Sequence, residues 1–431
     1  MPSIVHFAYL DSRGGSGRCA YRIHAGLQSR RFDSRMLVGK KYSDDPSVRI
    51  LGDSPARLGL LLDRAGRILS DVTGLQDILI PSSAWLHLHP WVRRADIIQI
   101  FNTWGGFVSF TALARLSRAR PVVWWLSDQW LYTGHCVYTY DCDRWLTGCG
   151  SCPQVWGERS LPFDTSALLW RIKDRVYRRA DLVIVAPSRW ILDQAKRSPL
   201  IGRFPAHHIP NGIDTSVFRP MRAEARAALG IEPNARVLLF PAHELGSRRK
   251  GGHLLRTAME SLPDIPGATL LLLGGSKGKP PALRGWRVRS VGFTDDDAQL
   301  ARVFAAADLV ATPSLADNFP NTVIESLACG TPVLALDVGG VGEAVRHMET
   351  GYLANSRDPA ELAAGLRLLL QDDGLRARLG SRGREIALAE YSRELELQRF
   401  MALYAELIDR PKAGQERAQA SESPDGKTGL A

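Results

Sequence analysis

The sequence predicts an α/β protein made of two doubly wound parallel sheets. Three observations predict it. Short apolar runs alternate with amphipathic stretches through most of the chain, the pattern of strands joined by helical crossovers. Several runs are unbroken Val, Ile and Leu, as strands covered on both faces require. The ten runs divide five and five around His207–Pro220, a stretch dense in turn residues, so two sheets are expected rather than one.

In the first half the expected strands are Ile4–Leu10, Arg35–Gly39, Ile97–Phe101, Val122–Leu126 and Leu182–Ala186. In the second they are Val237–Phe240, Thr269–Leu273, Val288–Val291, Leu309–Thr312 and Pro332–Leu336. Apolar residues at helical spacing predict helices over Arg18–Gln28, Phe107–Ser117, Gly252–Leu262, Asp296–Ala306 and Pro359–Leu370. Tyr391–Leu407 reads as a final amphipathic helix. The first domain is placed at 1–206 and the second at 207–390, followed by a helix over 391–410. The polar tail 411–431 has too few apolar residues for a core and is expected to be disordered.

Of 431 residues, 45% are hydrophobic and 23% charged, which excludes a mostly disordered or fibrous chain. No apolar run reaches the roughly 18–20 residues that span a bilayer, and the start, Met-Pro-Ser-Ile-Val-His-Phe, lacks the basic flank of a secretory signal. A cytoplasmic location is therefore expected. The formal charge of +10 favours anionic partners. No nucleic-acid recognition module is present, so nucleic acid is not among them.

Three loops carry the chemistry. The first strand runs into Asp11-Ser-Arg-Gly-Gly-Ser-Gly17 and then a helix. Glycines let backbone amides approach a phosphate, and a helix start favours negative charge. Gly15-x-Gly17-x-x-Ala20 also spells a dinucleotide fingerprint. The next strand, however, ends in Gly39-Lys40-Lys41 where a nicotinamide site wants an acid. After the first strand of the second half comes Arg248-Arg249-Lys250-Gly251-Gly252, cations able to balance a leaving diphosphate. The third stretch is Asp317-Asn-Phe-Pro-Asn-Thr-Val-Ile-Glu325, entering a helix that stops at Cys329-Gly330-Thr-Pro332. Its bland reading makes Asp317 a turn residue and Thr322-x-x-Glu325 a capping box.

Ser314-x-x-Asp317-x₇-Glu325, followed by Ala328-Cys-Gly330-x-Pro-Val, resembles the donor-site signature of family-four (group 1) glycosyltransferases. Pro210-Asn-Gly-Ile-Asp214, Arg249-Lys250-Gly251 and Ala307-Asp308 through Pro313-Ser314 fit the same family in the same order. The resemblance implies the GT-B fold: two facing Rossmann-like domains, the nucleotide-sugar held mainly by the second and the acceptor by the first. It implies retention at the anomeric carbon without a catalytic metal. Glu325 would hold the ribose and Asp317 a sugar hydroxyl. Backbone amides of Asn318, Phe319, Pro320 and Asn321 would approach sugar and phosphates, with the imide nitrogen of Pro320 contributing no donor. Arg249 and Lys250 would take the diphosphate of a UDP- or GDP-sugar, with Gly15 opposite. Departures are Ser127-Asp128 where many members have His-Asp, Ala242-His243 for Gly-Arg, and Asp317 for Glu. Asp128 and Asp317 are the candidate catalytic carboxylates, and His135 is the nearest substitute for the lost imidazole.

Cys136-x₅-Cys142-x₆-Cys149-x₂-Cys152 gives four thiols that either saturate a structural zinc or stay free among aromatic residues. The segment 124–153 resembles an insertion in a subgroup acting in bacterial exopolysaccharide assembly, of the colanic-acid type. That implies a glycan or lipid-linked acceptor and work at the inner face of the plasma membrane. Asp141-x-Asp143 reads as an incidental pair. Ser166–Arg179 and Arg57–Ile68 mix cations with Leu and Ile; each is either a core-facing helix with a solvated side or a peripheral contact with anionic lipid. Two other classes remain open: a GT-B-like sugar-nucleotide epimerase, and a degenerate, non-catalytic homologue that binds lipid or partners.

Overall fold

A computed structural model describes residues 1–51, 57–103, 105–244, 246–275 and 282–410. The expected disordered tail lies outside the described residues. Thirteen strands, all paired in parallel, form two sheets among them. The first comprises β1 (Ser3–Leu10), β2 (Asp33–Lys40), β3 (Val48–Ile50), β4 (Ile97–Ile100), β5 (Val122–Trp125), β6 (Leu182–Ala186) and β7 (Ala206–His208), in the order β3-β2-β1-β4-β5-β6-β7. The second comprises β8 (Arg236–Glu244), β9 (Ala268–Gly275), β10 (Arg287–Gly292), β11 (Leu309–Thr312), β12 (Val333–Leu336) and β13 (Gly351–Ala354), in the order β10-β9-β8-β11-β12-β13.

Seven and six strands replace the expected five and five. The three additional ones, β3, β7 and β13, are edge strands of three or four residues. β7 pairs with β6, so His207 and His208 belong to the first sheet rather than opening the second domain. The expected helix Phe107–Ser117 begins late. Phe107–Ser109 is irregular, a single 3-10 turn covers Phe110–Ala112, and the helix runs Leu113–Ala119.

Both faces of each sheet are covered, which explains the unbroken apolar runs. Along β1, Val5 and Phe7 enter one core, while Ile4 and Ala8 enter the other. The last helix, Arg393–Asp409, supplies much of that second core. Its Leu397, Phe400, Leu403, Tyr404 and Leu407 pack on Ile4, Ala8, Ile97 and Val123 of the first sheet. The Tyr404 hydroxyl meets Gln99 on β4. Ser392 caps this helix by accepting from Leu395 N, and Ser392 bridges to Ile213 of the linker. The two chain crossings between domains therefore run side by side. This layout sets the loop after β1 opposite the loops after β8 and β11, at the carboxyl ends of the strands, where open α/β sheets bind ligands.

The helix Ser166–Tyr177 does not present all its cations to solvent. Lys173 is buried and donates to the carbonyls of Trp130 and Thr133 at 2.6 and 3.0 Å. The helix Arg57–Thr73 does the opposite of a core helix. Leu61, Ile68 and Val72 are each about 60% exposed, beside exposed Arg64 and Arg67; the side chains of residues 57–60 lie outside the described residues. No helix among the described residues is long and apolar enough to cross a membrane.

Candidate active site

A cleft of about 470 Å³ lies between the two domains. On the first-domain side, the loop leaving β1 is pinned by Asp11. This buried carboxylate accepts from the backbone N–H of Ser12, Tyr42 and Ser43 at 2.8–2.9 Å. Burial pushes its carboxyl up, but those hydrogen bonds hold it below the ordinary aspartate range. The following helix, Gly14–Ser29, starts in the cleft with no side-chain cap, so its first N–H groups are available to an anion. Gly17 is required there: a Cβ would stand 2.9 Å from the Leu10 carbonyl oxygen.

On the facing side, Arg248–Lys250 forms one 3-10 turn after β8. Gly251 closes it at φ +70°, with the Pro313 carbonyl oxygen 1.7 Å from where a Cβ would sit. The close approach ties the basic turn to the strand β11 exit, as does Leu315 N donating to Arg249 O at 2.7 Å. Lys250 Nζ donates to Asp317 Oδ2 at 2.7 Å, and Arg249 Nη1 lies 3.5 Å from the same oxygen. Burial pushes the Asp317 carboxyl up, yet Lys250 and Arg249 pull it below its usual range. Arg249 also donates to Glu158 Oε1 at 2.8 Å and lies 4.3 Å over the Tyr138 ring. The side chain of His243 lies outside the described residues.

The stretch after Asp317 is mostly spent on holding the domains together. Asn318 Nδ2 donates to the Leu126 carbonyl at 2.9 Å, and its Oδ1 accepts from Ser188 Oγ at 2.7 Å. Its backbone N–H donates to Asp317 Oδ1 at 3.1 Å. Phe319 packs edge-on against Tyr391 at 5.4 Å. Pro320 precedes the helix Asn321–Ala328. Asn321 Nδ2 donates to the Gly15 carbonyl at 3.3 Å, while its Oδ1 accepts from Asn211 at 2.9 Å. Thr322-x-x-Glu325 is not a capping box, because the helix already begins at Asn321 and Pro320 gives no side-chain cap. Glu325 is instead buried and pairs with Arg18 at 3.0 Å and Arg22 at 3.5 Å, both from the first domain. Asp297 completes this cluster at 2.6 Å from Arg18 and 2.9 Å from Arg22. Sequence reasoning missed Arg18, Arg22, Asn211 and Asp297; the i, i+4 spacing of the two arginines just after the Gly-rich loop was the available signal.

Asp128 lines the cleft at the end of β5, accepting from Trp130 N at 2.9 Å and Ser127 Oγ at 3.0 Å. His135 is no substitute for the missing imidazole. It turns away into the cysteine cluster, with Nε2 3.2 Å from Cys152 Sγ and Nδ1 3.0 Å from the Arg159 carbonyl. The closest ligand set among the described residues is His135, Cys136 and Cys152, with Cys142 and Cys149 lining the same small cavity. Asp141 of the Asp-x-Asp pair is held by Arg357 through two 2.9 Å bonds. Chemically, the cleft offers an anion an uncapped helix start on one side and two cations on the other, with buried carboxylates beside them.

Residues 13–217 match the family profile described as Glycosyltransferase Family 4, and residues 221–386 match that of Glycosyl transferases group 1. A D-inositol 3-phosphate glycosyltransferase of Jonesia denitrificans is 36% identical over 200 residues, 42% of this chain and 47% of that protein. The same-named protein of Mycobacterium marinum is 32% identical over 261 residues, 57% and 54%. The chain thus spans about half the length of the curated relatives it matches. Among solved structures, sucrose-phosphate synthase from Thermosynechococcus elongatus aligns with TM-score 0.67 at 20% identity, covering 95% of this chain and 99% of that one. HepE of Anabaena, in complex with UDP-glucose, aligns with TM-score 0.65 at 21% identity, covering 94% and 100%. At such identities these likenesses establish the fold alone. The chain therefore has the GT-B fold, and it carries a family 4 glycosyltransferase domain followed by a group 1 glycosyltransferase domain.

Proposed function

We propose that this chain is a retaining, metal-independent hexosyltransferase that moves a sugar from a nucleotide-diphosphate donor to a glycan acceptor. The observation that carries the reading is the cleft itself, where Lys250, Arg249 and Asp317 face the uncapped start of the Gly14–Ser29 helix. As the anomeric bond breaks, negative charge grows on the leaving diphosphate, and fixed cations balance it without a metal. In the cleft Asp317 pairs with Lys250. A bound diphosphate competes for that cation and releases Asp317 to a sugar hydroxyl. Glu325 holds the ribose, for which it must exchange its contact with Arg18. Asp128 takes the acceptor hydroxyl, from the first-domain side of the cleft.

Uracil is the favoured base, since HepE, of the same fold, is described with UDP-glucose. A lipid-linked acceptor in exopolysaccharide assembly, met at the inner face of the plasma membrane, fits the exposed Leu61, Ile68 and Val72 beside Arg64 and Arg67. Such a face binds anionic lipid through apolar burial plus charge. The names of the curated relatives favour a second reading of the acceptor, a phosphorylated inositol.

Thermal stability with UDP, GDP, ADP and NADP⁺ tests the donor. A ligand at 100 times its dissociation constant adds about 2.7 kcal/mol. A shift with UDP or GDP, followed by acceptor-dependent loss of donor sugar, is expected. Donor conversion without any acceptor identifies an epimerase instead. Binding without turnover identifies a non-catalytic homologue, and a shift with NADP⁺ alone overturns the reading in favour of the Gly15–Ala20 fingerprint.

A further inference from the structure

The segment between β5 and the helix Ser166–Tyr177 holds four of the six cysteines. Within it, His135 Nε2 lies 3.2 Å from Cys152 Sγ and 3.7 Å from Cys136 Sγ, and the three ligand atoms all lie within 4.8 Å of one another. Tetrahedral zinc, with Zn–N of about 2.0–2.1 Å and Zn–S of about 2.3 Å, sets its ligand atoms roughly 3.5–3.8 Å apart. The two Nε2–Sγ distances straddle the N–S separation that such a shell requires.

The imidazole is already oriented for this. Its Nδ1 sits 3.0 Å from the Arg159 carbonyl, which only accepts, so Nδ1 carries the proton and the Nε2 lone pair faces the thiols. Cys142 and Cys149 line the same cavity of about 10 Å³, which is about the space of one water-sized body. The backbone there is bent to serve the sulfurs. Gly148, Cys149, Gly150 and Ser151 take successive φ values of 112°, 58°, 93° and 45°. Gly134 N donates to Cys149 Sγ at 3.3 Å, and Gln154 N donates to Cys152 Sγ at 3.4 Å. Such N–H donors suit sulfur that carries negative charge.

The same segment reaches the donor side of the cleft. Tyr138 follows Cys136 by two residues and lies against Arg249; Glu158 precedes the Arg159 carbonyl that orients His135, and accepts from Arg249 Nε. We propose that His135, Cys136 and Cys152, with Cys142 or Cys149 as fourth ligand, bind one zinc ion, and that this ion holds Tyr138 and Glu158 against Arg249. The cysteine ligands release their thiol protons to solvent on binding, with no change of oxidation state. Tyr138 and Glu158 are then positioning residues for the donor cation. This second half rests on the nucleotide-sugar reading; the zinc site does not.

The test begins with metal content of the full chain, purified without chelator from zinc-supplemented cells, by mass spectrometry. About one zinc per chain is expected, lost in Cys152→Ser and kept in Cys329→Ala. A folded wild-type chain holding less than about 0.1 zinc, or a disulfide within the segment, overturns the site, and this measurement needs no variant to fold. UDP is then titrated into zinc-loaded protein, into protein stripped by a chelator and checked for fold by circular dichroism, and into Glu158→Gln. Stripped protein and Glu158→Gln are expected to bind UDP roughly fivefold or more weakly. Unchanged affinity after stripping refutes the positioning role while leaving the site. Binding of neither UDP nor GDP to the zinc-loaded chain refutes the donor reading and with it the role of Tyr138 and Glu158, again leaving the zinc count standing.

Discussion

Lys250→Met keeps an unbranched side chain one atom shorter and removes the charge on which Asp317 depends. Lys250 Nζ is 2.7 Å from Asp317 Oδ2, and the Asp317 side chain is only 9% exposed against 20% for Lys250. The remaining cation, Arg249, is 3.5 Å away and shared with Glu158. Removing one partner of a buried pair costs about 3–5 kcal/mol, because the other charge is left uncompensated. Arg249 persists and Lys250 is partly solvated, so the expected loss at pH 7 is smaller, about 2–3 kcal/mol. In a domain of this size each kcal/mol moves the midpoint by about 2–4 °C, so calorimetry should show Tm falling by about 4–12 °C. Asp317→Asn in the Lys250→Met background should recover most of it. The sign with pH follows from Asp317. Its folded carboxyl is held below the unfolded 3.8, so the pair's contribution is fully present above that value and is lost as pH falls through the lower folded one. The gap between wild type and variant therefore closes in strong acid. The same substitution should lower kcat by about 10²–10³ if the cation meets the leaving diphosphate. A Lys250→Met chain with unchanged Tm and a double-mutant coupling below about 0.5 kcal/mol refutes the pairing.

Asn318→Ala strips partners from the Leu126 carbonyl and the Ser188 hydroxyl; each buried orphan costs about 1–3 kcal/mol, read as a lower Tm and as faster protease cleavage at the domain linker. Gly251→Ala cannot keep its φ of +70° with the Pro313 oxygen where its Cβ must go, so UDP affinity measured by calorimetric titration should fall at least about tenfold through displacement of Arg249 and Lys250. Burial pushes the Glu396 carboxyl up to about 8. Its contribution is present below the unfolded 4.5 and is lost as pH rises toward 8, so wild-type Tm should decline relative to Glu396→Gln across that window.

The sheets were legible where burial on both faces forces a composition. Leu182-Val-Ile-Val-Ala186 can hardly be anything but a central strand, and it is one. Val48–Ile50 and Ala206–His208 were not legible, because an edge strand of three residues with Arg or His in it satisfies only one neighbour and needs no apolar run. In the cleft, the glycines and the basic turn could be found from local chemistry alone. The pairing of Glu325 with Arg18 and Arg22 could not, since it joins residues from different domains; a local rule, the capping box, offered a competing explanation of the same glutamate. Lys173 shows the reverse error. A lysine among arginines on a helix reads as surface, yet two carbonyls and the Trp130 ring, 3.6 Å from its Nζ, hold it inside.

The return of the Arg393–Asp409 helix to the first sheet has a consequence for how the molecule is made. Gln99 is translated 305 residues before its partner Tyr404. At about 5–20 residues per second that interval is roughly 15–60 s, during which Ile4, Ala8 and Ile97 lack the apolar cover that Phe400 and Leu403 later supply. The half of the protein that leaves the ribosome first is thus the last to be finished, and its unfinished face is a natural client for a chaperone until the final described helix arrives.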